Sequence, residues 1–307
     1  MKLLVSLVAP LIAVSALSAA PPTEVTIHDD KPFPESVTST SDGTLIIGGL
    51  NKGVVYRAAK GASTAELWIK PDTNGLQRVL GVLADQKSNT LWVCSAKRPN
   101  ATAPTAVKTF DLKTGASKGS YDFPAPDNAL CNDIAIGPDG SAYLSDTLAN
   151  RILRLKKGAS ALDVWVKDDK LAGADGIAFG DNSTIYVNTV TTNRFFRVPI
   201  NKDGSAGAVA ELKPSQALSS PDGMRALGNN QFLMIEGAGR LDHVTVSGND
   251  AKIEVLKDGF KGPTAVTRIG NNAWVIEGKL NYMNDPKLKD QDPGPFKAYA
   301  VPFPAKH

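Results

Sequence analysis

Cys131-Asn-Asp-Ile-Ala-Ile-Gly-Pro-Asp-Gly-Ser-Ala-Tyr-Leu-Ser-Asp146 reads as two short strands joined by a tight turn. Ile134 and Ile136 alternate with smaller neighbours, Pro138, Asp139 and Gly140 supply turn chemistry, and Ala142 to Leu144 open a second apolar strand. The same grammar returns five more times, at 35–48, 80–94, 174–188, 221–236 and 263–277. Aligned copies start at 35, 80, 132, 175, 222 and 264, at intervals of 45, 52, 43, 47 and 42 residues. A period of this length with several short strands per unit is the signature of propeller blades.

Further strand signals fill out each unit. Val54–Arg57, Val107–Phe110, Ile152–Leu155 and Phe195–Val198 supply a third strand, and Ala65–Trp68 and Leu162–Val166 a fourth. No long window carries helical periodicity, which disfavours an α/β barrel. The spacing predicts an all-β, six-bladed β-propeller with four-stranded antiparallel blades around a central channel, occupying residues 21–307 as one domain. Glu24–His28 can pair beside Tyr299–Pro302, so that the two chain ends share a blade and no sheet edge is left open.

The chain has 307 residues, 42% hydrophobic and 21% charged, enough to bury a sizeable core. A net charge of +3, with no run of Lys or Arg, gives no reason to expect nucleic acid or an anionic membrane as partner. Lys2, the apolar run Leu3–Leu17 and the small residues Ser18, Ala19 and Ala20 describe a secretory signal peptide over residues 1–20. The rival reading of that run is an uncleaved anchor, although it is short for a membrane span. The expected product is secreted or periplasmic, free of the membrane after signal removal, and monomeric, because a closed ring needs no partner to hide its edges. Cys94 and Cys131 form either one disulfide or two buried thiols on adjacent strands. Asn100 and Asn182 each open a glycosylation sequon, which matters only in a eukaryotic host.

In a propeller, residues at one register position are neighbours around the channel. That position reads Glu35, Leu80, Asn132, Asp175, Asp222 and Thr264. Three carboxylates and a carboxamide meeting at a narrow axis repel unless a cation joins them, and hard oxygen donors suit Ca²⁺, Mg²⁺ or Mn²⁺. The bland alternative is four solvated strand-start residues at a channel mouth. A second polar series, Asp146, Glu236 and Glu277, closes the following strands and is expected to satisfy backbone donors. His243 falls on an outer strand, away from any acid–base role.

Cys131–Gly140 and Pro221-Asp-Gly-Met224, with Glu35 in Pro34-Glu-Ser-Val37, resemble the family of gluconolactonase, regucalcin and luciferin-regenerating enzyme. The resemblance implies a six-bladed propeller with one divalent cation in its channel, Ca²⁺ first, with Mg²⁺, Mn²⁺ or Zn²⁺ as alternatives. It carries the metal ligands onto Glu35, Asn132, Asp175 and Asp222, the general base onto Asp222, and substrate contact onto Asn132. Two positions depart from the family. Asp175 stands where an Asn is usual, which adds a negative charge, and Leu130 stands where sugar-lactone members carry Arg. Leu130, Leu80 and Met224 suggest a substrate less polar than a sugar. The implied activity is metal-dependent hydrolysis of a lactone or related ester, in which the cation polarises the carbonyl and acidifies a water while Asp222 accepts the proton. The competing reading is a non-catalytic ligand- or protein-binding propeller with a structural metal. A third, a strictosidine-synthase-like or streptogramin-lyase-like propeller, needs a catalytic Glu or His at the channel, and only Glu35 is a candidate.

Overall fold

A computed structural model describes residues 22–126, 128–181 and 183–303. The signal-peptide reading and the Asn182 sequon fall outside the described residues. The first strands are β1 (Glu24–Ile27), β2 (Pro34–Ser39), β3 (Leu45–Gly49), β4 (Val54–Ala58) and β5 (Thr64–Ile69). Then come β6 (Arg78–Asp85), β7 (Thr90–Ala96), β8 (Ala106–Asp111) and β9 (Ser117–Asp122), followed by β10 (Cys131–Ile136), β11 (Ala142–Asp146), β12 (Arg151–Leu155) and β13 (Asp163–Lys167). Next are β14 (Ala174–Phe179), β15 (Thr184–Thr189), β16 (Arg194–Pro199), β17 (Ala210–Glu211) and β18 (Lys213–Pro214). The last are β19 (Pro221–Gly228), β20 (Gln231–Glu236), β21 (Arg240–Ser247), β22 (Asp250–Lys257), β23 (Pro263–Ile269), β24 (Asn272–Glu277), the short helix α1 (Asn281–Asn284) and β25 (Phe296–Pro302).

The architecture is all-β and of propeller type. The strands hydrogen-bond into five sheets, not six. Three sheets have four strands, one has five, and one has eight in the order β2-β3-β4-β5-β1-β25-β24-β23. The eight-stranded sheet arises because β1 pairs with both neighbours: antiparallel to β25, with Val25 opposite Ala298, and parallel to β5, with Thr26 opposite Thr64. The strand from the start of the chain is thus inserted beside the strand from its end, as the sequence predicts.

The strands that begin each repeat, β2, β6, β10, β14, β19 and β23, each contact the next, and β23 contacts β2, so they form a closed circuit. Each is irregular at its start: the pairing of β10 with β11 shifts between Cys131 and Ile134, and that of β19 with β20 between Pro221 and Met224. Such bulges turn side chains at the strand start away from the strict alternation of a flat sheet. The circuit is tight. A Cβ added to Gly81 would lie 2.3 Å from the Asn132 carbonyl oxygen, and one on Gly223 would lie 2.8 Å from that of Thr264, so neighbouring backbones leave no room for side chains there.

The core is a series of apolar layers between adjacent sheets. One such layer joins Ala178, Tyr186 and Phe195 of one sheet to Met224, Phe232 and Met234 of the next. Cys94 of β7 and Cys131 of β10 are disulfide-bonded with Cα atoms 5.2 Å apart, which decides between the two readings of the cysteines and ties two sheets together directly before Asn132. Among the described residues no helix is long and apolar enough to cross a membrane.

Candidate functional site

The starts of the inner strands bring polar side chains together at one end of the channel. Glu35, Asn132, Asp175, Asp222 and Thr264 line one small space with Asp133 and Gly81. Five of the six register residues therefore meet. Leu80 turns into the apolar cluster with Leu50 and Cys94 instead, and Gly81 takes its place at the axis.

Hydrogen bonds between neighbouring strands fix the ring. Asn132 Nδ2 donates to Asp175 Oδ2 at 2.8 Å and to Thr147 Oγ1 at 3.0 Å. Ser145 Oγ donates to the Asp175 carbonyl at 2.6 Å. Asn188 accepts from the Gly176 N–H at 3.0 Å and donates to the Asp222 carbonyl at 2.7 Å. The second polar series does as expected: Asp146 accepts from Leu130 N at 2.9 Å, Glu277 from Lys261 N at 2.7 Å, and Glu236 from Ser219 N. His243 lies on β21 and bonds Gln231 Oε1 at 2.9 Å, away from this cluster.

The electrostatics are those of crowded acids. Burial, followed by the charges of Asp175 and Asp133, pushes the Glu35 carboxyl well above its ordinary range. Burial and then Asp133 push Asp175 up to about 7. Burial, then the charges of Asp175 and Glu35, also push the Asp222 carboxyl well above its ordinary range. Glu35 and Asp175 are buried, whereas Asp222 keeps an exposed edge.

Two members of the cluster were not among the sequence candidates. Asp133, the fourth acid, is buried and pairs with Arg225 Nη1 at 2.7 Å. Arg225 Nη2 also donates to the Val82 carbonyl at 3.2 Å, so its guanidinium spans the channel beneath the acid ring. The position after the register residue reads Ser36, Gly81, Asp133, Gly176, Gly223 and Ala265, and Asp133 is its one charged member. That exception was the available signal.

Two substrate expectations need correction. Met224 is fully buried between sheets with Phe232 and Met234, because the bulge at Pro221 to Met224 sends its side chain into the inter-sheet layer. Leu130 packs against the cluster of Cys131 and Phe123 and lines neither the acid cluster nor the large cavity beside it. That cavity, about 1070 Å³, opens above β19 and β23; Asp222 and Thr264 line both it and the acid cluster.

A divalent cation suits the donor chemistry. Glu35 Oε2, Asp133 Oδ1 and Asp175 Oδ1 are buried oxygens without a hydrogen-bond partner, and carboxylate and carboxamide oxygens are hard donors. As they stand, the side chains lie against one another, leave no space for a water molecule between them, and place no group of three His, Cys, Asp or Glu in ligating geometry among the described residues. The set therefore fits a cation in kind and charge, with ligation requiring the acids to separate around it.

No family model matches the chain, and no curated protein matches it. Solved structures do. A calcium-binding protein, regucalcin, from Agrobacterium tumefaciens is similar at TM-score 0.65 and 15% identity, over 91% of this chain and 96% of that one. A gluconolactonase from Xanthomonas campestris is similar at TM-score 0.64 and 15% identity, over 88% and 86%. A virginiamycin B lyase from Staphylococcus aureus is similar at TM-score 0.58 and 12% identity, over 91% and 98%. A calcium binder, a lactonase and a lyase on one architecture establish the fold and leave the chemistry to the site: this chain is a β-propeller whose structural neighbours include the regucalcin and gluconolactonase proteins.

Proposed function

We propose that the protein is an exported six-bladed propeller hydrolase that opens a lactone or related ester, with one divalent cation held by Glu35, Asn132, Asp175 and Asp222 and with Asp222 as general base. The observation that carries this reading is the place of Asp222, the one acid of the cluster that also faces the large cavity. Six blades follow if the eight-stranded sheet is counted as two sets of four, divided where β1 meets β5 over two residue pairs. Export accords with the leader at residues 1–20 and with a disulfide that an oxidising compartment preserves.

When bound, a cation supplies Lewis-acid polarisation of the ester carbonyl, and the oxygen donors put Ca²⁺ ahead of Mg²⁺, Mn²⁺ or Zn²⁺. Asp222, with its raised proton affinity and open edge, takes the proton from the attacking water as the water oxygen bonds the acyl carbon. The acyl C–O bond of the ring breaks, the ring oxygen leaves with a proton as a hydroxyl, and the product is a hydroxy acid. Asn132 is held in one orientation by Thr147 and Asp175 and steers the substrate.

The test strips the mature protein with chelator, reloads Ca²⁺, Mg²⁺, Mn²⁺ or Zn²⁺ singly, and assays a panel of sugar and aliphatic lactones. Metal-restored turnover that Asp222→Asn lowers by about 10²-fold or more, with melting unchanged, is the expected result. Turnover indifferent to Asp222→Asn removes the base assignment. A second reading, a binding propeller with a structural cation, is favoured by the closeness of the acid ring, which leaves no room for a water. Its result would be metal that raises the Tm with no turnover on any lactone. For the streptogramin-lyase-like alternative, no His lines the acid cluster or the large cavity among the described residues, and its one candidate, Glu35, is buried in the acid cluster and does not line the large cavity.

A further inference from the structure

The cavity facing Asp222 has a charge pattern that the acid ring does not explain. Four lysines line it, Lys257, Lys261, Lys279 and Lys297, against the two acids Asp222 and Glu277. Two of the four are already committed. Lys297 Nζ pairs with Glu24 Oε1 at 2.7 Å. Lys279 is buried and donates to the carbonyls of Pro293 at 3.0 Å and Pro295 at 2.7 Å, which tacks the segment after α1 against the cavity. Glu277 gives one oxygen to the Lys261 backbone N–H and stands 3.9 Å from Lys279 with the other.

The ammonium groups of Lys257 and Lys261 remain. Both residues are exposed, and neither is ion-paired among the described residues. Lys257 Nζ lies 5.2 Å from the centre of the Phe260 ring, which holds it along the wall. Leu280, Asn281 and Tyr282 of the segment around α1 also line the cavity, and Leu280 and Met283 pack both on the cluster containing Leu50 and Leu80 and on that containing Phe33 and Phe296. A ligand reaching Asp222 through this cavity passes the lysine wall.

We propose that the cavity takes a small molecule bearing a carboxylate beside its ring, and that Lys257 and Lys261 recognise that charge; as a statement about substrate this rests on the hydrolase reading above. An anion close to four channel carboxylates is repelled unless cations face it, and two unpaired ammonium groups at the mouth concentrate anions there. Phe260, Tyr282 and Tyr299 supply the apolar lining for the ring itself. The lining contains no Arg, so the charge is met by ammonium point charges without a bidentate fork, and a singly charged carboxylate on the ring asks no more of them than that.

The experiment is calorimetric titration of the full mature chain with two lactones that differ in one group: the γ-lactone of α-hydroxyglutarate, and γ-valerolactone, in which a methyl replaces the carboxylate. Tighter binding of the carboxylate form by about tenfold, equivalent to about 1.4 kcal/mol, is expected. The preference should collapse in the Lys257→Gln, Lys261→Gln double variant. It should persist in a Lys156→Gln, Lys157→Gln control, which removes the same charge from a cavity elsewhere on the surface. Equal affinity for the two lactones, or a preference that survives the first double variant, overturns the proposal. Binding is read without turnover, so a preference that behaves as stated while neither ring opens would support the anion site and count against the hydrolase.

Discussion

At the residue scale the channel is a problem of charge. Glu35, Asp133, Asp175 and Asp222 stand together, and among the described residues the one side-chain cation ion-paired with them is Arg225, on Asp133 at 2.7 Å. Removing one partner of a buried pair costs more than removing both, because the survivor is left uncompensated. Arg225→Met should lower stability by about 3–5 kcal/mol in denaturant titrations, and adding Asp133→Leu should recover much of that loss. A loss of the same size in the double variant would mean that Arg225 acts by filling space. A second acid pair lies apart from the channel. Burial, and then Glu236, raise the Asp242 carboxyl to about 8 from an ordinary 3.8. The folded chain thus binds a proton that the unfolded chain releases, so this stabilisation is complete below about pH 4 and is lost as the pH rises to about 8. The slope from this one group reaches at most about 1.4 kcal/mol per pH unit. Asp242→Asn should flatten the melting temperature over that window; an unchanged profile would place the dependence elsewhere. Register made Glu35, Asn132, Asp175, Asp222 and Thr264 legible in the sequence because flanking apolar residues align the repeats. The Asp133–Arg225 pair was not legible, since its partners lie 92 residues apart and belong to different repeats.

At the element scale the repeats translate directly into strands, because alternating apolar residues bounded by Asp-Gly and Asn-Asn turns satisfy a pleated, buried surface. The strand signals at Val107–Phe110 and Ile152–Leu155 lie within β8 and β12. What alternation does not encode is the bulge at each inner-strand start. Met224 was placed at the substrate by position and belongs to the inter-sheet layer by geometry. The disulfide is an element-scale device, linking β7 to β10 across 37 residues of chain. Chain-entropy arguments give such a loop about 3–4 kcal/mol. Cys131→Ser with Cys94→Ser should lower stability by about that amount, and reductant should reproduce the effect in the natural chain while leaving the double variant unmoved. A Tm unaffected by reductant would show that packing alone holds these strands.

At the scale of the whole molecule, circular closure explains both the five-sheet count and the shape of the site. β1 joins the first and last repeats by pairing with β25 and β5, and the six inner strands, each the terminal strand of its sheet, are pressed together in a closed circuit at the axis. That pressure brings the acids within reach of one another and pushes Asp175 up to about 7. A divalent cation would relieve the repulsion, which without one raises the proton affinity of Glu35, Asp175 and Asp222. The direct test is calcium titration into chelator-stripped protein, followed by heat uptake and by melting temperature. The account predicts one Ca²⁺ per chain and a rise in stability that reaches about 2.7 kcal/mol at ~100-fold excess over Kd. It also predicts that Glu35→Gln and Asp175→Asn each weaken binding while the metal-free fold persists. No binding and no rise in Tm with Ca²⁺, Mg²⁺, Mn²⁺ or Zn²⁺, or binding unaltered in both variants, would contradict it.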